Sequence, residues 1–231
     1  EQTMNPELWS EMGPELLPAF WVTIKLTVTS AIGSLIFGTL LTAMRVSPVG
    51  ILRTLSTWYI NIVRNTPLTL IVLLASMGLY YNLGLLLAAE NDSFIVKQNF
   101  RLAVLAFVAY TSCFVAESLR AGINTVPFGQ AEAARSLGLS FGQSFRYIIF
   151  PQAFRGAIVP LGNTLIALTK NTTIASVIGV AEASLLMKTM TENYASDILI
   201  IFGIIAVGFI ILTLPTGLFF GWAGKRWAVK R

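Results

Sequence analysis

Arg64, Glu117 and Lys170 carry charge inside or beside long apolar stretches of this chain. A charge in hydrocarbon surroundings is costly, so it faces a partner or a polar cavity. Arg64 lies 11 residues beyond Arg53, roughly 16 Å along a helix, which places it near mid-bilayer. One reading is a buried Arg64–Glu117 ion pair that fixes helix packing. The other puts Arg64, with Asn65 and Thr66 beside it, on a path where its guanidinium attracts a carboxylate. Lys170, Asn171 and Thr172 stand roughly 20 Å above the start of the apolar run that precedes them. They can line the outer half of such a cavity, unless Lys170 only snorkels to the interface. Lys25 suits snorkelling or headgroup contact better than a path.

Enzymatic chemistry has few candidates. The chain has no histidine and one cysteine, Cys113. That removes Ser-His triads, histidine proton relays, internal disulfides and cysteine metal clusters. Cys113 lies in an apolar run and reads as a packing residue. Gly224-Lys225-Arg226 lacks the earlier glycine and the following Ser/Thr of a phosphate loop, so the chain is not expected to hydrolyse ATP.

The elements that must position these charges are membrane helices. Of 231 residues, 55% are hydrophobic and 12% charged, with mean hydropathy +0.73, where a soluble domain is about a quarter charged. The expected class is an all-α integral membrane protein, a single membrane domain over residues 1–231. Candidate spans run from about Leu16 to Met44, Leu55 to Leu87, Leu102 to Ile123, Pro151 to Thr169 and Ile198 to Trp222. Crossing a ~30 Å core takes roughly 20 residues. The apolar stretch Ile174–Met187 has only 14, which favours a re-entrant or interfacial segment. The polar stretch Glu1–Glu15 has no basic region and does not read as a signal peptide.

Charge orients these five spans. Arg45, Arg53, Arg120, Arg135, Arg146, Arg155, Lys225, Arg226, Lys230 and Arg231 fall on one side; Lys97, Arg101, Lys170 and Lys188 fall on the other. The basic excess marks the cytoplasmic side, putting the N-terminus outside and the C-terminus inside. The net charge of +5 is then membrane anchoring, and no nucleic-acid partner is expected.

Between Gly129 and Pro151 the chain turns polar on the expected cytoplasmic side. Ala131, Ala134, Leu137 and Phe141 recur at helical spacing and form one apolar face. Glu132 and Arg135 are placed to pair. Gly138 fits the left-handed residue that closes a helix. Ser140 and Gln143 have capping-box spacing, so a second helix starts there and returns the chain to the bilayer at Pro151. The first helix is rich in alanine and too small-faced to bury deeply in lipid, which favours docking against another protein over lying on the membrane surface.

Glu132-Ala133-Ala134, Gly138, Ile148 and Phe150-Pro151 resemble the EAA loop of ABC-importer permeases, with Phe150 where leucine is usual. The match spans 20 residues. Arg64-Asn65-Thr66-Pro67 resembles the R-G-T-P of polar-amino-acid permeases. Ala116-Glu117 with Arg120-Ala121-Gly122-Ile123 resembles A-E-x-x-R-G-G-I. Pro127-Phe128-Gly129-Gln130 resembles P-x-G-Q, and Lys170 to Gly179 resembles K-N-T-S-L-A-S-V-I-G. The chain is most similar to glutamate-uptake members.

The resemblance implies a type I ABC-importer permease fold in a bacterial cytoplasmic membrane. It implies an ATPase-coupling segment over about residues 128–151, with Glu132, Ala133, Ala134, Arg135, Gly138, Ser140 and Pro151. It implies a substrate path or gate that includes Arg64, Asn65, Thr66, Glu117, Arg120, Lys170, Asn171 and Thr172. The partners it implies are two cytoplasmic ABC ATPase subunits, a second permease chain (a heterodimer being favoured), and an extracytoplasmic amino-acid-binding protein. No cofactor is expected on this chain; ATP and Mg2+ belong to the ATPases. An ion-coupled secondary transporter would carry inverted repeats and further intramembrane acids, which the sequence lacks. A non-transporting assembly subunit would need neither Arg64 nor Glu117 within its spans.

Overall fold

The computed structural model of the chain describes residues 6–89 and 93–227. Glu1, Lys230 and Arg231 lie outside the described residues. Among those residues every regular element is helical. The helices are α1 (Pro6–Val46), α2 (Gly50–Arg64), α3 (Leu68–Leu73), α4 (Phe94–Ile123), α5 (Phe128–Ser136), α6 (Phe141–Ser144), α7 (Phe150–Asn171), α8 (Ala183–Asn193) and α9 (Ile198–Trp227). A π-helix, Leu74–Asn82, continues α3, and a π-turn, Phe145–Ile149, joins α6 to α7.

Among the described residues three helical runs are long and apolar enough to cross a membrane: α1, α4 and residues 195–227. Two bent pairs raise the number to as many as five, which agrees with the five apolar runs of the sequence. In the first pair, α2 meets the Leu68–Asn82 run at 103°. The expected Leu55–Leu87 span is therefore not one helix. Pro67 has no N–H to continue the ladder and disfavours helical backbone at Thr66. The side chains before it close the end of α2: Asn65 Nδ2 donates to Asn61 O at 2.6 Å, and Thr66 Oγ1 to Ile62 O at 2.9 Å. In the second pair, Phe141–Ile178 meets α8 at 56°. Ile174–Met187 is likewise discontinuous. A 3-10 turn, Thr172–Ile178, ends at Gly179 with φ +79°, a conformation that favours glycine.

The chain divides into two compact units, each gathered from three stretches. The first holds the described residues up to 31, 67–107 and 167–214. The second holds 32–66, 108–166 and those from 215 on. In the first, Leu8 and Met12 of α1 pack with Met190, Ile201 and Ile205. Phe20 and Phe209 meet edge to face at 5.5 Å. Gln98 is fully buried there and pins the non-helical segment after Asn82. Its Oε1 accepts from Leu87 N at 2.8 Å and Ala88 N at 3.1 Å, and its Nε2 donates to Leu85 O at 2.7 Å. Arg101 adds a bond to Leu87 O.

In the second unit α4 is the central helix. Cys113 and Ala116 bury with Leu41 of α1 and Ile60 of α2. Val115 and Leu119 bury with Ala157 of α7. Cys113 is a buried, unpaired thiol, the packing residue its sequence context suggested. Gly38 lets α1 approach α4 closely: a Cβ on it would lie 2.8 Å from Ser112 O.

Candidate functional site

The hairpin of α1 and α2 sets one candidate site. Ser56 Oγ donates to Leu41 O at 2.7 Å, and the Phe37 and Tyr59 rings meet at 5.5 Å. These pairings run in opposite directions along the two helices, so they are antiparallel. In this register Arg45 lies near the loop end of the hairpin and Arg64 lies beyond the level of Phe37. Glu117 of α4 stands between. Its Oε1 accepts from Arg45 Nη1 at 2.5 Å and lies 3.7 Å from Arg64 Nη1. The expected Arg64–Glu117 approach is therefore present, but the tight partner is Arg45.

Sequence reasoning assigned Arg45 to a basic loop and missed this contact. Arg45 sits in the last turn of α1, where a long side chain can reach back along the bundle. A basic residue in the last turn of a membrane helix, with an acid within another span, was the available signal. Of the neighbouring residues named from the sequence, Asn65 and Thr66 bond carbonyls of their own helix, and Arg120 is exposed. Thr42 Oγ1 bonds Gly38 O at 2.8 Å and touches Ala116 O at 3.4 Å, which ties α1 to α4 beside Glu117.

The second candidate site is the segment from α5 to α7, in the same unit. Pro127 precedes α5, and Gly138 ends it with φ +76°. Gly138 N donates to Arg135 O at 2.9 Å and Leu139 N to Ala134 O at 3.1 Å, the paired bonds of a Schellman end. Ser140 opens α6 with both halves of a capping box: Ser140 N to Gln143 Oε1 at 2.9 Å, and Gln143 N to Ser140 Oγ at 3.3 Å. The second helix does not run straight on. Pro151 cannot donate and its ring opposes the carbonyl four residues back. The π-turn before it, closed by Phe150 N on Phe145 O, absorbs that conflict.

The apolar face expected on α5 is divided. Ala134 is buried and Ala131 half-buried, while Leu137 is 80% and Phe128 94% exposed. Leu137 turns outward because the helix closes at that residue. Glu132, Ala133 and Arg135 are exposed, and Glu132 and Arg135 form no ion pair among the described residues. Helix α5 thus presents Phe128, Leu137 and a charged row outward, with Phe141 of α6 also exposed, on a backbone closed at its C-terminal end by the Schellman bonds.

Lys170, Asn171 and Thr172 belong to the other unit. Lys170 is exposed, whereas Thr172 is fully buried and donates to Thr169 O at 2.7 Å. Beyond them, Glu182 is fully buried and caps α8, accepting from Ser184 N at 2.8 Å and Leu185 N at 3.0 Å. Lys188 Nζ donates to Ser176 Oγ at 2.7 Å. These two residues were not singled out from the sequence, because nothing local distinguishes a buried cap from a surface charge.

A helical chain with candidate membrane spans and a capped, outward-facing segment between them has the parts a transporter's membrane subunit needs. Residues 34–229 match the family described as "Binding-protein-dependent transport system inner membrane component". The chain belongs to this family, the transmembrane subunits of ABC importers. It is 72% identical over 225 residues to "Glutamate transport system permease protein GluC" of Corynebacterium glutamicum, covering 97% of this chain and 99% of that one. It is 34% identical to "Probable glutamine ABC transporter permease protein GlnM" of Bacillus subtilis, covering 96% and 98%. A solved "amino acid ABC transporter with histidines" superposes with a TM-score of 0.80 at 28% identity, over 97% of this chain and 100% of that one.

Proposed function

We propose that this chain is the membrane-spanning subunit of a glutamate importer. The observation that carries this reading is end-to-end similarity, at 72% identity, to a permease named for glutamate transport. The chain supplies the path and the mechanical link, and hydrolysis of Mg2+-bound ATP belongs to two partner ATPases. The exposed α5, flanked by Phe128 and Leu137, is the surface on which an ATPase docks. The Schellman end of α5 and the capping box of α6 that follows it fix the connection through which a push would pass into α7. The basic excess at this end of the chain supports a cytoplasmic position for it, with the N-terminus outside. A second, non-identical permease chain completes the path, and an extracytoplasmic binding protein delivers the amino acid. ATPase closure would then rock the spans about a site within the membrane, by favouring one of two states.

The deciding experiment reconstitutes the chain with its ATPase, partner permease and binding protein in liposomes. Glutamate should stimulate ATP hydrolysis and enter the vesicles. Stimulation by a different amino acid, with none by glutamate, would replace the cargo while keeping the importer reading.

A further inference from the structure

We infer that Arg45 is a positioning residue for substrate passage: it occupies Glu117 and so leaves the guanidinium of Arg64 to hold an amino-acid carboxylate. This rests on the importer reading above. Glu117 faces two arginines with one charge. Its Oε1 is within a charge-assisted hydrogen bond of Arg45 at 2.5 Å, but 3.7 Å from Arg64, beyond hydrogen-bond range. The cluster therefore keeps one uncompensated positive charge, and the geometry assigns it to Arg64. Exposure agrees: the Arg45 side chain is 16% exposed, Glu117 30% and Arg64 41%. The occupied arginine is the less exposed one, and the underused arginine is the more accessible one.

The surroundings sharpen the assignment. The buried groups beside the cluster are the apolar Leu41, Ile60, Cys113 and Ala116 and the hydroxyls of Thr42 and Ser56, which bond backbone carbonyls; none of them is a second counterion. Asn65 and Thr66 direct their donors to their own helix, so they do not compete for an incoming ligand. A guanidinium presents a planar fork that grips a carboxylate with two parallel bonds. Without Arg45, Glu117 would turn to Arg64, and the same fork would be filled from inside the protein. Every α-amino acid carries the carboxylate this site takes, so the inference does not depend on the side chain of the cargo.

The test measures binding of radiolabelled glutamate to the purified complex of permeases and ATPases, without the binding protein. Arg45→Gln should weaken binding about tenfold, the scale of one charged hydrogen bond lost, and Arg45→Lys should recover most of it. Arg45→Gln with Glu117→Gln should return to about the wild-type affinity, since Arg64 is again unopposed. Arg64→Gln should abolish binding, and adding Glu117→Gln should not rescue it. A merely structural ion pair would move thermal stability without this pattern. Wild-type affinity in Arg45→Gln, or no recovery in the double variant, overturns the inference, as does a wild-type complex that binds no amino acid. If Arg45→Gln does not fold, Arg45→Met and Arg45→Lys are compared in its place: Met should bind about tenfold more weakly than Lys, and equal affinities overturn the inference. If the wild-type complex binds another amino acid and no glutamate, the cargo reading fails, and the same variants assayed with that ligand still test Arg45.

Discussion

Gly122 and Gly156 bring α4 and α7 into backbone contact. A Cβ on Gly156 would lie 3.2 Å from the Gly122 Cα, and a Cβ on Gly122 would lie 2.0 Å from Ala153 O. The two substitutions should differ. Gly122→Ala drives a methyl into a backbone carbonyl and should destabilise the chain by about 1–3 kcal/mol. In Gly156→Ala the tightest contact is the Thr125 Oγ1 at 2.6 Å, with backbone atoms of Gly122 no nearer than 3.2 Å; the hydroxyl can move aside only by giving up its bond to Gly122 O, so the loss should be smaller than in Gly122→Ala but not negligible. Thermal unfolding in detergent ranks them, and equal melting temperatures would contradict the close contact.

Gly138 has open space where a Cβ would go, so its requirement comes from φ +76° alone. Gly138→Ala should cost about 1–2 kcal/mol in the left-handed conformation, and Gly138→Asn should cost less because asparagine tolerates it. Hydrogen exchange at Gly138 and Leu139 should quicken in that order, and transport should fall in the same order if α5 transmits force.

Ser140→Ala removes the acceptor for Gln143 N and should weaken the start of α6 by about 1 kcal/mol. Combined with Gln143→Ala the effects should be less than additive, because both act on one capping box. Fully additive losses in a double-mutant cycle would mean that the two bonds are independent.

Gln98→Leu keeps much of the volume but leaves Leu85 O, Leu87 N and Ala88 N without their partner. Each buried unsatisfied group costs about 1–3 kcal/mol, and solvation of a loosened segment relieves that cost. Limited proteolysis should therefore cut within residues 83–89 in the variant before it cuts the wild type. An unchanged cleavage pattern would show that Arg101 alone suffices to hold the segment.

Phe128→Asp should leave the fold intact, since that side chain is 94% exposed, and should lower ATPase binding by about tenfold or more, as loss of an apolar interface anchor does. Co-purification with the ATPase reads the result, and full retention would remove Phe128 from the docking surface.

Local signals were legible where one residue carries the physics. Gly138 and Ser140 announce a left-handed end and a cap, and both are present as the spacing indicates. Apolar run length marked five candidate spans, within the three to five the structure allows, but not their shape. Leu55–Leu87 is apolar on both sides of Pro67, so hydropathy alone cannot place the 103° bend, although the proline marks where it must fall. The Arg45–Glu117 contact joins residues 72 apart and depends on the close approach of α1 and α4. No local pattern encodes that approach. The outward turn of Leu137 follows from the end that Gly138 announces: helical periodicity assigns Leu137 to the apolar face of a helix that continues, and this one stops there.

The π-turn at Phe145–Ile149 preserves a rotational phase. A π-turn takes one more residue per turn than an α-helix, so the extra residue is absorbed locally and the helices on either side keep their facing. Deleting one residue within Phe145–Ile149 would let an α-turn form there and leave Glu132 and Phe128 facing as before, whereas deleting one within α7 would swing them by about 100° around its axis. What the shortened turn loses is the relief it gives Pro151: at this point a missing letter strains the proline and spares the aim of α5.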